Sequence, residues 1–259
     1  MKHLKTIACI VTIALLAPAA VFAAGQQEAA DTISFAGSGG YPPFNYFTED
    51  GSTVIGFDVD VASEIAERLG KELNYVTTSW DGIIEGLRAG RYEGILGSMG
   101  ITPARQERVN FSTPYYYSGP QLIVREDSGI SGPEDLDENS VIGLVTGTTF
   151  EDDANNLGVR VSLYEDDNQT LMELINGRVD GVLTDRIVGL NAISALPRGD
   201  ELILVGSVLR TERMGVALRL GDDDLLERVN QALAGMRDDG TMTAISEKWF
   251  GEGVDITVE

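Results

Sequence analysis

The sequence has 259 residues, of which 41 are acidic and 19 basic, and its net charge of −22 argues against nucleic acid as a partner, because like charges repel. Its one cysteine, Cys9, and its one histidine, His3, both lie close to the start. The rest of the chain therefore lacks Ser-His-Asp and Cys-His nucleophiles and the usual zinc ligands. We predict no metal, no cofactor and no catalytic residue.

The first 23 residues have the pattern of a secretory signal peptide. Lys2 and Lys5 precede an apolar run over residues 7–22, which is shorter than the roughly 20 residues that span a membrane, and small Ala23 closes it. An uncleaved anchor is the alternative. Cleavage after Ala23 predicts a periplasmic or extracellular protein, without a lipid anchor because Cys9 lies inside the run. Residues 24–30 are predicted to be a flexible leader.

Strand-like and helix-like segments alternate after this leader. The pattern predicts, in chain order, a strand over 32–36, a helix over 59–69, a strand over 73–77, a helix over 81–89 and a strand over 93–98. Such alternation is typical of parallel β-α-β units.

Residues 87–98 and 174–185 resemble each other. Each segment holds a helix end, a glycine, an arginine, an acid, a second glycine and a short apolar strand. The repeat predicts two lobes of related α/β architecture, with chance similarity as the alternative. Ser98 and Asp185 take matching places at the carboxyl ends of these strands, where open α/β sheets bind ligands.

The segment after Ser98 offers an anion-binding group. Thr102 is a predicted helix N-cap, Pro103 suits the first helical position, and Arg105 follows in the same turn. A helix start favours anions, and a guanidinium can hold a carboxylate with two parallel hydrogen bonds. An ordinary arginine on a short surface helix fits the segment equally well.

A second turn offers polar groups of its own. Gly147, Thr148 and Thr149 follow the apolar strand at 141–145 and precede a predicted helix from Phe150, where a plain turn is the alternative.

Three further side chains are candidates for the cleft. Asp185 could hold an ammonium group, or could only cap a helix over 186–193. Tyr41 and Trp80 could flank a ligand side chain, or could only pack.

Taken together, these motifs resemble the extracellular amino-acid-binding proteins of ABC transporters, solute-binding family 3. The match follows the family's order over nearly the whole chain after the leader. It is carried by residues 41–44, 56–60, 80–84, 98–102, 105, 111–115, 147–148, 177–180 and 248–251.

The resemblance implies an α/β fold with two Rossmann-like lobes joined by a two-strand hinge, the type II architecture of periplasmic binding proteins. Lobe one would comprise residues 31–119 and 214–259, and lobe two would comprise residues 120–213, including the hinge strands. The chain would cross between the lobes near 119–124 and return near 208–216.

The resemblance also implies a ligand site. Arg105 and Thr102 would bind an α-carboxylate with the threonines of lobe two, Asp185 would bind the α-ammonium near Ser98, and the two aromatic residues would flank the side chain. The full predicted set is Ser38, Tyr41, Trp80, Ser98, Met99, Gly100, Thr102, Arg105, Val145, Thr148, Thr149 and Asp185.

Two departures from the family pattern bear on the ligand. Ser38 stands where members that take basic amino acids often carry an acid, and Val145 stands where some members place a polar group. Both changes favour a neutral free L-amino acid, captured by a monomer and delivered to the membrane permease of an ABC transporter.

Two other functions are weighed against transport. A few proteins that resemble the family are dehydratases of cyclohexadienyl acids, whose chemistry needs an acid or base aimed at the substrate. We predict no cleft carboxylate besides Asp185. The acidic runs at 151–153, 165–167 and 222–224, which do not fit the spacing of a calcium loop, are interpreted as solvated loops and helix starts. The other alternative is a sensor that presents its ligand to a membrane receptor.

Overall fold

The computed structural model describes residues 32–259; the predicted signal peptide and leader, with His3 and Cys9, lie outside the described residues. The strands are β1 (Thr32–Gly37), β2 (Gly40–Tyr41), β3 (Asn45–Phe47), β4 (Val54–Ile55), β5 (Glu72–Thr77), β6 (Gly94–Ile95), β7 (Val109–Phe111), β8 (Tyr116–Ser118), β9 (Pro120–Arg125), β10 (Val141–Val145), β11 (Arg160–Tyr164), β12 (Gly181–Asp185), β13 (Leu202–Val205), β14 (Glu212–Met214) and β15 (Ala217–Arg219). The α-helices are α1 (Phe57–Arg68), α2 (Ile83–Arg88), α3 (Pro103–Gln106), α4 (Phe150–Leu157), α5 (Asp167–Ile175), α6 (Arg186–Ala195), α7 (Asp223–Asp238) and α8 (Thr241–Phe250).

The first five-stranded sheet has the order β5-β1-β6-β15-β7. Strand β1 lies parallel to β5 and β6, as the predicted β-α-β units require, while β15 is antiparallel to its neighbours. Helix α1 buries Val61 and Ile65 against Phe35 of β1, and α7 adds Leu233 to the same core. Burial of each such side chain contributes about 1.5–3 kcal/mol. We call this sheet and its helices lobe one.

The second sheet repeats the arrangement with the order β11-β10-β12-β9-β13. Strand β10 is parallel to β11 and β12, and β9 is antiparallel to β12. The two segments of the repeat fold alike. In each of them a glycine in the left-handed conformation, Gly90 (φ 74°) or Gly177 (φ 70°), ends the helix. The predicted α/β fold with two related lobes is confirmed, and we call this second sheet and its helices lobe two.

The chain passes twice between the sheets, through β8 and β14. These strands pair in an antiparallel two-stranded ribbon in which Glu212 lies opposite Ser118. The first passage lies earlier than the predicted 119–124, which falls mostly in β9. Leu122, Ile123 and Val124 are all fully buried, so this stretch belongs inside the second sheet and not between the lobes.

Strand β6 is shorter than the predicted 93–98. Ser98 has a φ of 60°, which an extended strand cannot accommodate, and the chain turns there toward the cleft. None of the helices within residues 32–259 is both long and apolar enough to cross a membrane.

Candidate ligand-binding site

A cavity lies where the loops after the parallel strands of both lobes meet. It contains about 540 Å³ of space free of protein atoms, counting its opening to solvent. Nine of the twelve predicted ligand-binding residues line it, namely Ser38, Tyr41, Trp80, Ser98, Gly100, Arg105, Val145, Thr148 and Thr149.

The remaining three predicted residues are placed elsewhere. Met99 is buried in the core with Ile95, because the chain reversal at Ser98 turns it inward. The hydroxyl of Thr102 accepts a hydrogen bond from the backbone N–H of Arg105 at 3.2 Å and so caps α3. Asp185 is fully buried and does not line the cavity.

Arg105 touches both lobes. Its Nη1 donates to the carbonyl of Gly100 at 2.9 Å in lobe one, and its Nη2 donates to the carbonyl of Gly147 at 3.1 Å in lobe two. The guanidinium also lies 5.7 Å from the ring centre of Trp80, whose Nε1 donates to the same Gly147 carbonyl at 3.3 Å. Burial lowers the pKa of Arg105 from its usual value, and the nearby Glu212 opposes that shift.

A buried carboxylate in lobe one shapes the loops that carry these groups. Asp58 of α1 accepts hydrogen bonds from Asn45 at 2.8 Å, from the Ser98 hydroxyl at 2.9 Å and from Tyr115 at 2.7 Å. Asn45 in turn accepts the Gly39 N–H at 2.9 Å. Asp58 therefore fixes both the loop before Tyr41 and the turn that leads to Arg105.

Lobe two contributes a polar turn at the end of β10. The hydroxyl of Thr148 donates back to the Val145 carbonyl at 2.8 Å, while the hydroxyl of Thr149 donates to Oε1 of Glu212 at 2.5 Å. Thr149 and Phe150 face the cavity beside Val145.

Four acids that the sequence pattern does not mark as ligand-binding residues lie in the cavity wall. Glu165, Asp166, Asp167 and Glu212 all line the cavity, so the prediction that Asp185 is the one cleft carboxylate is wrong. Asp166 is the N-cap of α5, as predicted for a helix start, and its carboxylate accepts the Gln169 N–H at 2.8 Å. The start of α5 also lines the cavity, and the sequence pattern does not show this second role.

Asp167 and Glu212 are the two buried acids of the cavity wall. Asp167 accepts the hydroxyl of Thr184 at 2.5 Å, and burial raises its pKa to about 6. Glu212 is only 4% exposed on β14, where it alternates with the exposed Arg213 and the buried Met214. A charged residue on the buried face of a strand was the signal that could have found it.

Arg186, the residue after Asp185, does not line the cavity. Its side chain lines a crevice behind the β8–β14 ribbon, beside Leu190 and Trp249. Glu49 and Asp50 are exposed and do not line the cavity.

Asp185 is the N-cap of α6 and does not line the cavity. One oxygen accepts the Ile187 N–H at 2.7 Å, and the other, Oδ2, is sealed from solvent without a hydrogen-bond partner in the described residues. Burial raises the pKa of Asp185 to about 7, with the nearby Glu212 adding to the shift.

This environment predicts that Asp185→Asn makes the ligand-free protein more stable at alkaline pH. The folded pKa of about 7 exceeds the unfolded value of 3.8, so the stability that protonated Asp185 contributes is complete below about pH 4 and lost as pH rises through 7. Between pH 5 and pH 8 the variant should gain about 1–3 kcal/mol over the wild type. Thermal unfolding of both proteins across this range measures the gain, and parallel stability curves would contradict it.

Comparisons with known proteins agree with this geometry. The sequence model of bacterial extracellular solute-binding proteins, family 3, matches residues 33–252. The L-cystine-binding protein TcyJ of Escherichia coli (strain K12) is 37% identical over 220 residues, which cover 83% of this chain and 81% of that protein. The ABC transporter arginine-binding protein 1 of the same strain is 31% identical over 228 residues, which cover 86% of this chain and 92% of that protein.

A solved structure shares the fold as well. An ancestral arginine-binding protein bound to glutamine matches with a TM-score of 0.81 and 35% identity, over 86% of this chain and 99% of that chain. The relatives are named as binding proteins, which confirms the prediction of a binding protein and not an enzyme. The chain belongs to the bacterial extracellular solute-binding proteins, family 3.

Proposed function

We propose that this chain captures a free L-amino acid between its two lobes and delivers it to the membrane permease of an ABC transporter. The observation that carries the proposal is the position of Arg105, which spans the two lobes and lines the cavity between them. The names of the relatives, which bind cystine and arginine, support the same class of ligand.

The donors left on Arg105 suit an α-carboxylate. Two of its five N–H groups are used by the carbonyls of Gly100 and Gly147, so three remain for a ligand. A ligand carboxylate held there would contact both lobes at once, and binding would favour the state in which they touch. A micromolar dissociation constant needs about −8.2 kcal/mol, and a few hydrogen bonds to charged groups contribute about 1.5–3 kcal/mol each.

Within this class we propose a ligand without net charge. Ser38 and Val145 both line the cavity and carry no charge, which supports the preference. Arginine and lysine are the most informative competitors, because the acids of the cavity wall could attract a basic side chain. Glu165 and Asp166 are exposed and solvated, however, and Asp167 is buried against Thr184.

Calorimetric titration of the protein from residue 24 onward tests both statements. The panel is L-cystine, L-glutamine, L-leucine, L-arginine and L-lysine. We expect at least one neutral amino acid to bind at least about tenfold, or 1.4 kcal/mol, more tightly than either basic one. Tightest binding of arginine or lysine would reject the neutral preference, and no binding of any free amino acid would reject the function.

We further propose that residues 1–23 are a cleaved signal peptide. The membership of the chain in a family of extracellular proteins supports export.

A further inference from the structure

The crevice behind the β8–β14 ribbon is a second gap between the lobes. Helix α6 of lobe two lines it with Leu190, and the segment that follows α8 in lobe one lines it with Val254 and Val258. The ribbon closes the crevice through Tyr117 and Thr211. The crevice is therefore bounded by both lobes and by the strands that join them.

The crevice and the ligand cavity lie on opposite faces of the ribbon. Glu212 and Met214 line the ligand cavity, whereas Tyr117 and Thr211 line the crevice. Successive side chains of a strand point to opposite faces, so this division follows from the ribbon itself. When the lobes rotate about the ribbon, the gap on one face widens as the gap on the other narrows.

The structure shows the lobes closed over the ligand cavity. Nη2 of Arg105 and Nε1 of Trp80, both in lobe one, donate across the cavity to the carbonyl of Gly147 in lobe two. Release of these contacts would open the ligand cavity and narrow the crevice behind the ribbon.

Each wall of the crevice is fixed to its own lobe. The hydroxyl of Ser246 on α8 donates to the Val254 carbonyl at 2.8 Å and accepts the Ile256 N–H at 3.1 Å, which ties the last segment to lobe one. Helix α6 lies directly on the sheet of lobe two, since a Cβ at Gly189 would stand 2.8 Å from Cδ1 of Ile123. The two walls therefore move with their lobes.

The walls carry apolar side chains that the closed state leaves in water. Leu190 is 49% exposed, Val254 42% and Val258 63%. Ile187, at the start of α6, already packs against the core of lobe one. Narrowing of the crevice would extend this contact to the exposed side chains and remove their surface from water, which is favourable.

We propose that the two walls of the crevice meet when the ligand cavity opens, and that this contact stabilises the open, ligand-free state. The inference rests on the proposed function, because an amino acid enters through the open state. A ligand that binds the closed state has to break the contact, so the contact weakens the apparent affinity for every ligand. Leu190 would thus set affinity without touching the amino acid.

Leu190→Ala in the protein from residue 24 onward is the first test. The smaller side chain removes part of the contact of the open state, so calorimetry should show about threefold tighter binding or more, by the same factor for each amino acid that binds the wild type. Leu163→Ala is the matched control, because Leu163 is a leucine of lobe two that is 48% exposed and lines neither gap. It should leave the affinity unchanged. Unchanged affinity in Leu190→Ala, or a gain confined to one amino acid, would overturn the inference.

A cross-link across the crevice is the second test. Residues 24–259 contain no cysteine, so the double variant Leu190→Cys, Val258→Cys has one possible disulfide. Under mild oxidation this disulfide should form in the ligand-free protein, and a saturating amino acid should slow its formation at least about threefold. Absence of the disulfide, or equal rates with and without ligand, would overturn the inference. A wild-type protein that binds no amino acid would reject the proposed function, whereas a disulfide in that ligand-free protein would still support the contact between the walls.

Discussion

Arg105→Ala is expected to weaken amino-acid binding by at least about 100-fold, because removal of one partner of a buried, hydrogen-bonded charge pair costs about 2–5 kcal/mol. The guanidinium joins Gly100 of lobe one to Gly147 of lobe two and keeps donors for the ligand carboxylate. Its loss therefore removes a ligand contact and a contact between the lobes. Calorimetry on the amino acid that the wild type binds most tightly gives the ratio of dissociation constants.

Arg105→Lys is the matched variant for this prediction. Lysine keeps the positive charge but not the planar fork that can bind a carboxylate and a carbonyl together, so we expect an intermediate loss. Folding should survive both changes, because the side chain lies on the four-residue helix α3 at the cavity wall and not in the core. Unchanged affinity in a folded alanine variant would remove Arg105 from the site.

Asp58→Ala is expected to destabilise the protein by at least about 3 kcal/mol, because each buried donor left without a partner costs about 1–3 kcal/mol. Three such donors depend on this one carboxylate, on Asn45, Ser98 and Tyr115. For a chain of this length the loss corresponds to a fall in Tm of about 6 °C or more. Thermal unfolding without ligand measures it.

Asp60→Ala is the control on the same helix. Asp60 binds Lys248 and Trp249 at a partly exposed site, at 2.5 and 2.6 Å, where an ion pair contributes about 1 kcal/mol or less. Equal losses of stability in the two variants would show that the three donors around Asp58 find other partners. A larger loss for Asp58 shows that the network holds the cleft loops in place.

The fold was predictable because its signals are local and repeated. The strand predicted over 141–145 coincides with β10, and the glycines of the repeat, Gly90 and Gly177, end helices where the pattern places them. The strand predicted over 93–98 was too long, because the positive φ of Ser98 depends on bonds to Asp58 and Tyr115 from distant parts of the chain.

The candidate site was predictable only in part. Arg105, Trp80 and Thr149 belong to short segments with recognisable turn or cap chemistry, and all three line the cavity. Glu212 lies in no such segment. It reaches the cavity because β14 pairs with β8 and because Gly100, more than a hundred residues earlier, leaves room for its carboxylate. Asp167 was taken for a solvated helix start, although it is buried and hydrogen-bonded to Thr184.

A crystal structure of the protein grown with its preferred amino acid tests the central claim most directly. The claim predicts one ligand molecule in the cavity between the lobes, with its α-carboxylate on the guanidinium of Arg105 and within hydrogen-bond reach of the turn at Thr148 and Thr149. An amino acid bound outside this cavity, or bound within it with its carboxylate away from Arg105, would contradict the account.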